Sequence, residues 1–152
     1  MNWVALIWSG FVATTVATAF FWAFRSLGWT RFSPTVQLGG IFFRDPDSPN
    51  TETLGFFLFF ILGSTLVPVL YEIVMNAWAG PGWDTGAVVG LAHGTLAAAA
   101  LPLLGTISAS VRSGPLPHPG LFGLNWGRFT PAAVVLGHVV YGGIVGAVLA
   151  GF

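Results

Sequence analysis

The chain has 152 residues, 55% of them hydrophobic and only 7% charged, with five basic residues balanced by five acids. A soluble domain carries about 25% charged residues, so this composition excludes one, and the five Arg form no basic patch for nucleic acid. With no cysteine, disulfides, thiolate metal centres, iron–sulfur clusters and CxxCH haem attachment are excluded too.

Charge-free runs at Met1–Phe24, Thr53–Tyr71, Thr85–Val111 and Phe129–Phe152 are each long enough to cross ~30 Å of hydrocarbon at 1.5 Å per residue. They are continuous and do not alternate at period two, which favours helices over a β-barrel. The expected architecture is all-α: a polytopic four-transmembrane-helix bundle forming one domain. Its spans are placed at about 3–24, 54–78, 85–111 and 129–151, with loops 25–53 and 112–128 on one side.

The first span is followed by Arg25, Arg31 and Arg44, and the third by Arg112 and Arg128. Positive-inside asymmetry therefore puts both loops in the cytoplasm and the N- and C-termini on the outer side. The seven Trp agree: Trp3, Trp8, Trp78 and Trp83 fall near the outer ends, Trp22, Trp29 and Trp126 near the inner ones. Ala17-Thr18-Ala19 looks like a signal-peptidase site, but no basic region precedes the apolar run, so a retained span is expected.

In the first loop, Pro34-Thr35-Val36-Gln37-Leu38 after Ser33 predicts a short interfacial helix, with Ile41, Phe42 and Phe43 entering the headgroup boundary. An Asp or Ser before Pro49 is placed to cap the second span. There Phe56, Phe57, Phe59 and Phe60 cover most of the circumference, so some must face lipid, a lipophilic molecule or another protein. Further out, Ser64, Pro68 and Glu72 share a face, and Pro68 leaves the Ser64 carbonyl without its helical donor.

The third and fourth spans carry small residues at four-residue spacing, Gly86, Gly90 and Gly94 then Gly142 and Gly146, the pattern that lets membrane helices approach closely. Gly10, Thr14 and Thr18 repeat it in the first span. Between the third and fourth spans, Pro115, Pro117 and Pro119 predict stiff, extended backbone, and His118 reads as solvated.

The polar residues within the spans are the functional candidates. Glu72 is the one acid inside a span, in its outer third, and reads either as an interfacial acid or as a binding or proton-handling group. His93 lies at nearly the same depth, placed to bond Glu72, while His138 lies on the Gly142–Gly146 row with Tyr141 one turn beyond. Each His reads as a buried donor to a neighbouring helix, or as an axial ligand to a tetrapyrrole metal or a proton relay. One haem held by both is disfavoured, since counting from the helix ends puts them ~8 Å apart in depth. No other metal centre is expected.

Paired Cys, GxSxG, HExxH and paired intramembrane Asp are absent, and the first span carries no acid of the kind a small multidrug exchanger uses. A match to membrane glutathione-transferase-like enzymes would rest on Asn76 and Glu72 alone. The chain is therefore not expected to be an enzyme.

At Gly10-Phe11-Val12-Ala13-Thr14, Gly90-Leu91-Ala92-His93-Gly94 and Leu136-Gly137-His138-Val139-Val140-Tyr141-Gly142, the chain resembles a set of small bacterial four-helix inner-membrane proteins of unknown function. In that set a Met often follows the first-span Thr, where this chain has Val16 and Ala17. The resemblance implies the same topology, a bacterial inner membrane and a duplicated helical hairpin; it implies no activity. Setting Leu62-Gly63-Ser64 against Leu136-Gly137-His138 brings Pro68 opposite Gly142, in line with such a repeat.

The leading expectation is an accessory subunit of a larger bacterial membrane complex, respiratory or photosynthetic, packing on core subunits and holding lipid, quinone or a tetrapyrrole pigment. The alternative is a small homo-oligomeric transporter or channel whose polar path runs through Glu72, His93 and His138.

Overall fold

A computed structural model describes residues 2–152. Four helices or helix pairs are long and apolar enough to cross a membrane, at Trp3–Ser26, Pro49–Trp78, Trp83–Ile107 and Thr130–Leu149, and among the described residues there is no strand.

Helix α1, Trp3–Ser26, starts where the Asn2 side chain accepts the Ala5 N–H at 3.3 Å, and it buries a stripe through Leu6, Gly10, Ala13, Ala17 and Phe21. Helix α2, Pro34–Gly39, is the short helix predicted in the first loop, with Pro34 in its first turn. The second span begins earlier than expected, at Pro49, where Ser48 Oγ accepts the Asn50 N–H. It also breaks into α3, Pro49–Ser64, and α4, Leu66–Trp78. Thr65 leaves helical geometry at φ −124° and ψ −75°, and the cause is Pro68, which lacks the N–H that would bond the Ser64 carbonyl.

The third span departs further from expectation. Helix α5, Trp83–Ala100, gives way to a 3-10 turn at Leu101–Leu103, then to α6, Leu104–Ile107, and α7, Ala109–Arg112. Pro102 and the extended Ser108 interrupt what the apolar run alone reads as one helix. The loop that follows bends at 114–116 and carries no helix until Leu121–Trp126 coils into 3-10 turns. Helix α8, Thr130–Leu149, completes the bundle.

Helix α8 is central, packed on α5, α1 and α4. Its seam with α5 is the most extensive in the protein and is set by glycines: a Cβ on Gly86 would strike the Gly142 carbonyl, one on Gly90 the His138 carbonyl, and one on Gly146 the Gly82 carbonyl. All five glycines of the small-residue rows thus lie where backbone meets backbone. On the other side, α1 packs on α3 and α4, with Gly10 against Gly63 and Pro68 at the break.

The loops at the Arg-bearing end are sewn together. Ser108 Oγ donates to the Gly40 carbonyl at 2.9 Å and Ser110 Oγ to the Phe43 carbonyl at 2.6 Å. Thr30 and Thr130 hydroxyls bond at 2.6 Å, and Trp126 Nε1 donates to the Pro117 carbonyl at 2.8 Å. Gly39 and Gly55 allow α2 to lie backbone to backbone on α3. Helices α3 and α5, by contrast, make no extended contact, and cavities lie between them.

Candidate functional site

Four rings meet at the head of these cavities. Tyr71 Oη and His93 Nδ1 are 3.0 Å apart, with ring centres at 5.7 Å. The His93 and His138 ring centres are 4.5 Å apart, edge to face, and Tyr71 meets Tyr141 in the same way at 5.4 Å. Tyr141 Oη donates to the Gly63 carbonyl at 2.6 Å, tying α8 to α3 just before the break at Thr65. His138 Nδ1 lies 2.7 Å from the Val134 carbonyl; a carbonyl only accepts, so Nδ1 carries the proton.

Two sequence expectations are corrected here. His93 and His138 are in ring contact and not 8 Å apart in depth. The α5–α8 register sets Gly90 beside His138 and Gly146 beside Gly82, so the two helices do not start level. Their histidines are three residues out of step, ~4.5 Å of rise, a gap the side chains close. Yet the contact leaves no room for a macrocycle. A metal with two axial imidazoles holds their nitrogens about 4 Å apart at ~2 Å per bond, with ring centres further apart still.

The second correction concerns Glu72. His93 bonds Tyr71, the residue before it, and one residue along a helix is a turn of ~100°. Glu72 is half-buried outside the cluster, and no side-chain hydrogen bond reaches it among the described residues. Likewise, among the described residues no group of three or more His, Asp or Glu is placed to hold a metal ion.

Below the rings lies a cavity of about 250 Å³. Thr14 and Phe21 of α1 form its floor with Gly137 and His138 of α8, while Phe59, Leu62 and Val67 wall one side and His93 the other. A second cavity of about 280 Å³ shares Phe21, Leu38, Phe59 and His138 with the first and runs on to Ala97, Leu101, Leu104 and Gln37. Together they make one crevice open along the gap between α3 and α5. From His93 to Leu104 it is about 16 Å long at helical rise. No charged side chain lines either half.

Two residues that line it carry polar atoms sealed from the cavity and without partners: Thr14 Oγ1, packed against Gly63, and Gln37 Oε1. Buried polar atoms are ordinarily bonded. Tyr71, Thr14 and Gln37 were not singled out as site residues in the sequence. The signal that could have found Tyr71 is its place on the Gly63–Val67–Tyr71 row, which the register turns toward α8. Thr14 was legible only as a packing residue, and the Phe cluster only as a choice of faces; Phe59 faces the crevice while Phe56 and Phe57 face outward. His118 is exposed in its loop, with Nδ1 accepting the Gly120 N–H at 3.0 Å.

The chain matches no protein-family model, no curated protein and no solved structure.

Proposed function

We propose that this chain is a multi-pass subunit of the bacterial inner membrane that serves a larger complex by seating a lipophilic molecule in its lateral crevice. The observation that carries the reading is the crevice itself, about 16 Å long, largely apolar and uncharged along its length. A gap between two spanning helices opens sideways, where lipid-dissolved molecules diffuse, and not to water. The Arg and Trp distribution supports termini that face outward. Exposed rings such as Trp8, Phe11, Phe56 and Phe57 supply surface for lipid or for neighbouring subunits.

The alternative is a small homo-oligomeric transporter using His93 and His138 as an intramembrane polar path, supported by their ring contact. Glu72 stands outside that path, and the crevice continues inward between apolar walls, which is the reason the seat is preferred. Extraction in mild detergent, native gel separation and mass spectrometry of the band distinguish the two. A large band with other subunits and a retained lipophilic molecule is expected; a small homo-oligomer carrying none contradicts the proposal.

A further inference from the structure

We infer that the protein has a second site, at its Arg-bearing end, for the head of a phospholipid that carries both a phosphate and a primary ammonium. The site is separate from the crevice and does not depend on what the crevice holds.

Charge is scarce in this chain, with five Arg and five acids in 152 residues. A cavity of about 160 Å³ nevertheless brings one of each sign to a single space: Arg25, in the last turn of α1, and Glu52, in the first turn of α3. Both side chains are exposed, and among the described residues neither has a hydrogen-bond or ion-pair partner. They line the cavity as a separated cation and anion, each free to take a partner from outside. Ser33 and Thr35, at the start of α2, line it too. Their hydroxyls bond each other at 3.1 Å, which commits one of the two protons and leaves the other to donate.

The chemistry of the ligand follows from what these groups can do. A guanidinium holds a phosphate through two parallel N–H···O bonds. A carboxylate only accepts, so its partner needs N–H donors as well as positive charge; a primary ammonium has both, and a quaternary ammonium has the charge alone. A head with one charge of each sign matches the cavity, whereas a purely anionic head satisfies Arg25 and sets a like charge near Glu52. The source is a membrane lipid because Arg25 and Glu52 lie at the ends of the first two spans, the level of headgroups, and because exposed rings of Trp22 and Phe56 line the same cavity, where acyl chains begin. Phe21 and Phe59 line this cavity and both halves of the crevice, so they form a shared wall. Ala97 belongs to the crevice alone, and filling the crevice there leaves this site in place.

The test is native mass spectrometry of the full-length protein in detergent micelles, titrated with dioleoyl lipids that differ only in the head: phosphatidylethanolamine, phosphatidylcholine and phosphatidylglycerol. The ethanolamine lipid is expected to bind about ten-fold tighter than either of the others, the effect of one charge-assisted hydrogen bond. Glu52→Gln is expected to bring the ethanolamine and choline lipids within about two-fold of each other, and Arg25→Gln to weaken the ethanolamine lipid about ten-fold. Glycerol-lipid binding by Glu52→Gln, at least as tight as by the unmodified protein, shows that this variant remains folded. Free O-phosphoethanolamine, which lacks the chains, is expected to displace no lipid at equal concentration. An ethanolamine lipid bound no tighter than either of the other two, or a preference that survives Glu52→Gln, overturns the inference; displacement by the free phosphoester overturns the membrane source.

Discussion

The α5–α8 seam and the α3–α5 gap lie side by side and are built by opposite rules. In the seam, glycine on both helices removes the side chains that would hold the backbones apart, and carbonyls of one helix fill the space over Cα atoms of the other. Across the gap, Phe59, Leu62 and Val67 face Ala97, Leu101 and His93 without meeting, because α3 is held elsewhere: by α2 at its start and by Tyr141 at Gly63. The difference teaches that two facing rows of glycine close a seam, whereas small residues without such a facing row, Ala17, Gly137 and Ala97 among them, line the cavity. Four long helices could have closed symmetrically; the glycine rows draw two of them together, and the Thr65 break brings α4 onto α5 and α8 while α3 stays apart from α5.

The comparison breaks most sharply at the seam. Gly90→Val drives a branched side chain into the His138 carbonyl, and neither backbone can yield; a loss of about 3 kcal/mol is expected in detergent unfolding. Gly143→Ala is the control on the facing helix, since its Cβ would meet nothing nearer than 3.5 Å, and it should fall within about 0.5 kcal/mol of the unmodified protein. Equal losses for the two would mean that glycine packing does not set the seam.

The gap is tested by Tyr141→Phe, which removes the donor to the Gly63 carbonyl while keeping the ring. Intramembrane hydrogen bonds are worth about 1 kcal/mol, so a loss of that size is expected, together with faster amide exchange near the Thr65 break. The smallest effect belongs to Glu72→Gln. With the carboxylate outside the ring cluster and the crevice, stability should change by less than about 0.5 kcal/mol and crevice binding by less than about two-fold. A larger change would restore Glu72 to the site.

Four apolar spans, the short helix at Pro34 and the glycine rows were legible because each is a property of consecutive or periodic residues. The site was legible only in part. His93, His138 and Tyr141 stand out as polar residues in apolar runs, but their meeting depends on register, and counting depth from helix ends supposes that helices start level. Gly82 opposite Gly146 shows that α5 and α8 do not. Tyr71 in place of Glu72 as the partner of His93 turns on 100° of rotation about α4, which the break at Thr65 sets and periodicity along an unbroken span does not. Ser108 and Ser110 reach back across 67 or 68 residues to Gly40 and Phe43, and nothing local in either segment points to the other.

The most direct test of the account is native mass spectrometry of the protein purified from its own membranes beside an Ala97→Trp variant, which places a large ring in the half of the crevice that runs toward Leu104. The account predicts a neutral lipophilic adduct on the unmodified protein that is lost from the variant while the variant stays folded. That adduct retained equally by both, or absent from both, would contradict the crevice as the working part of this protein.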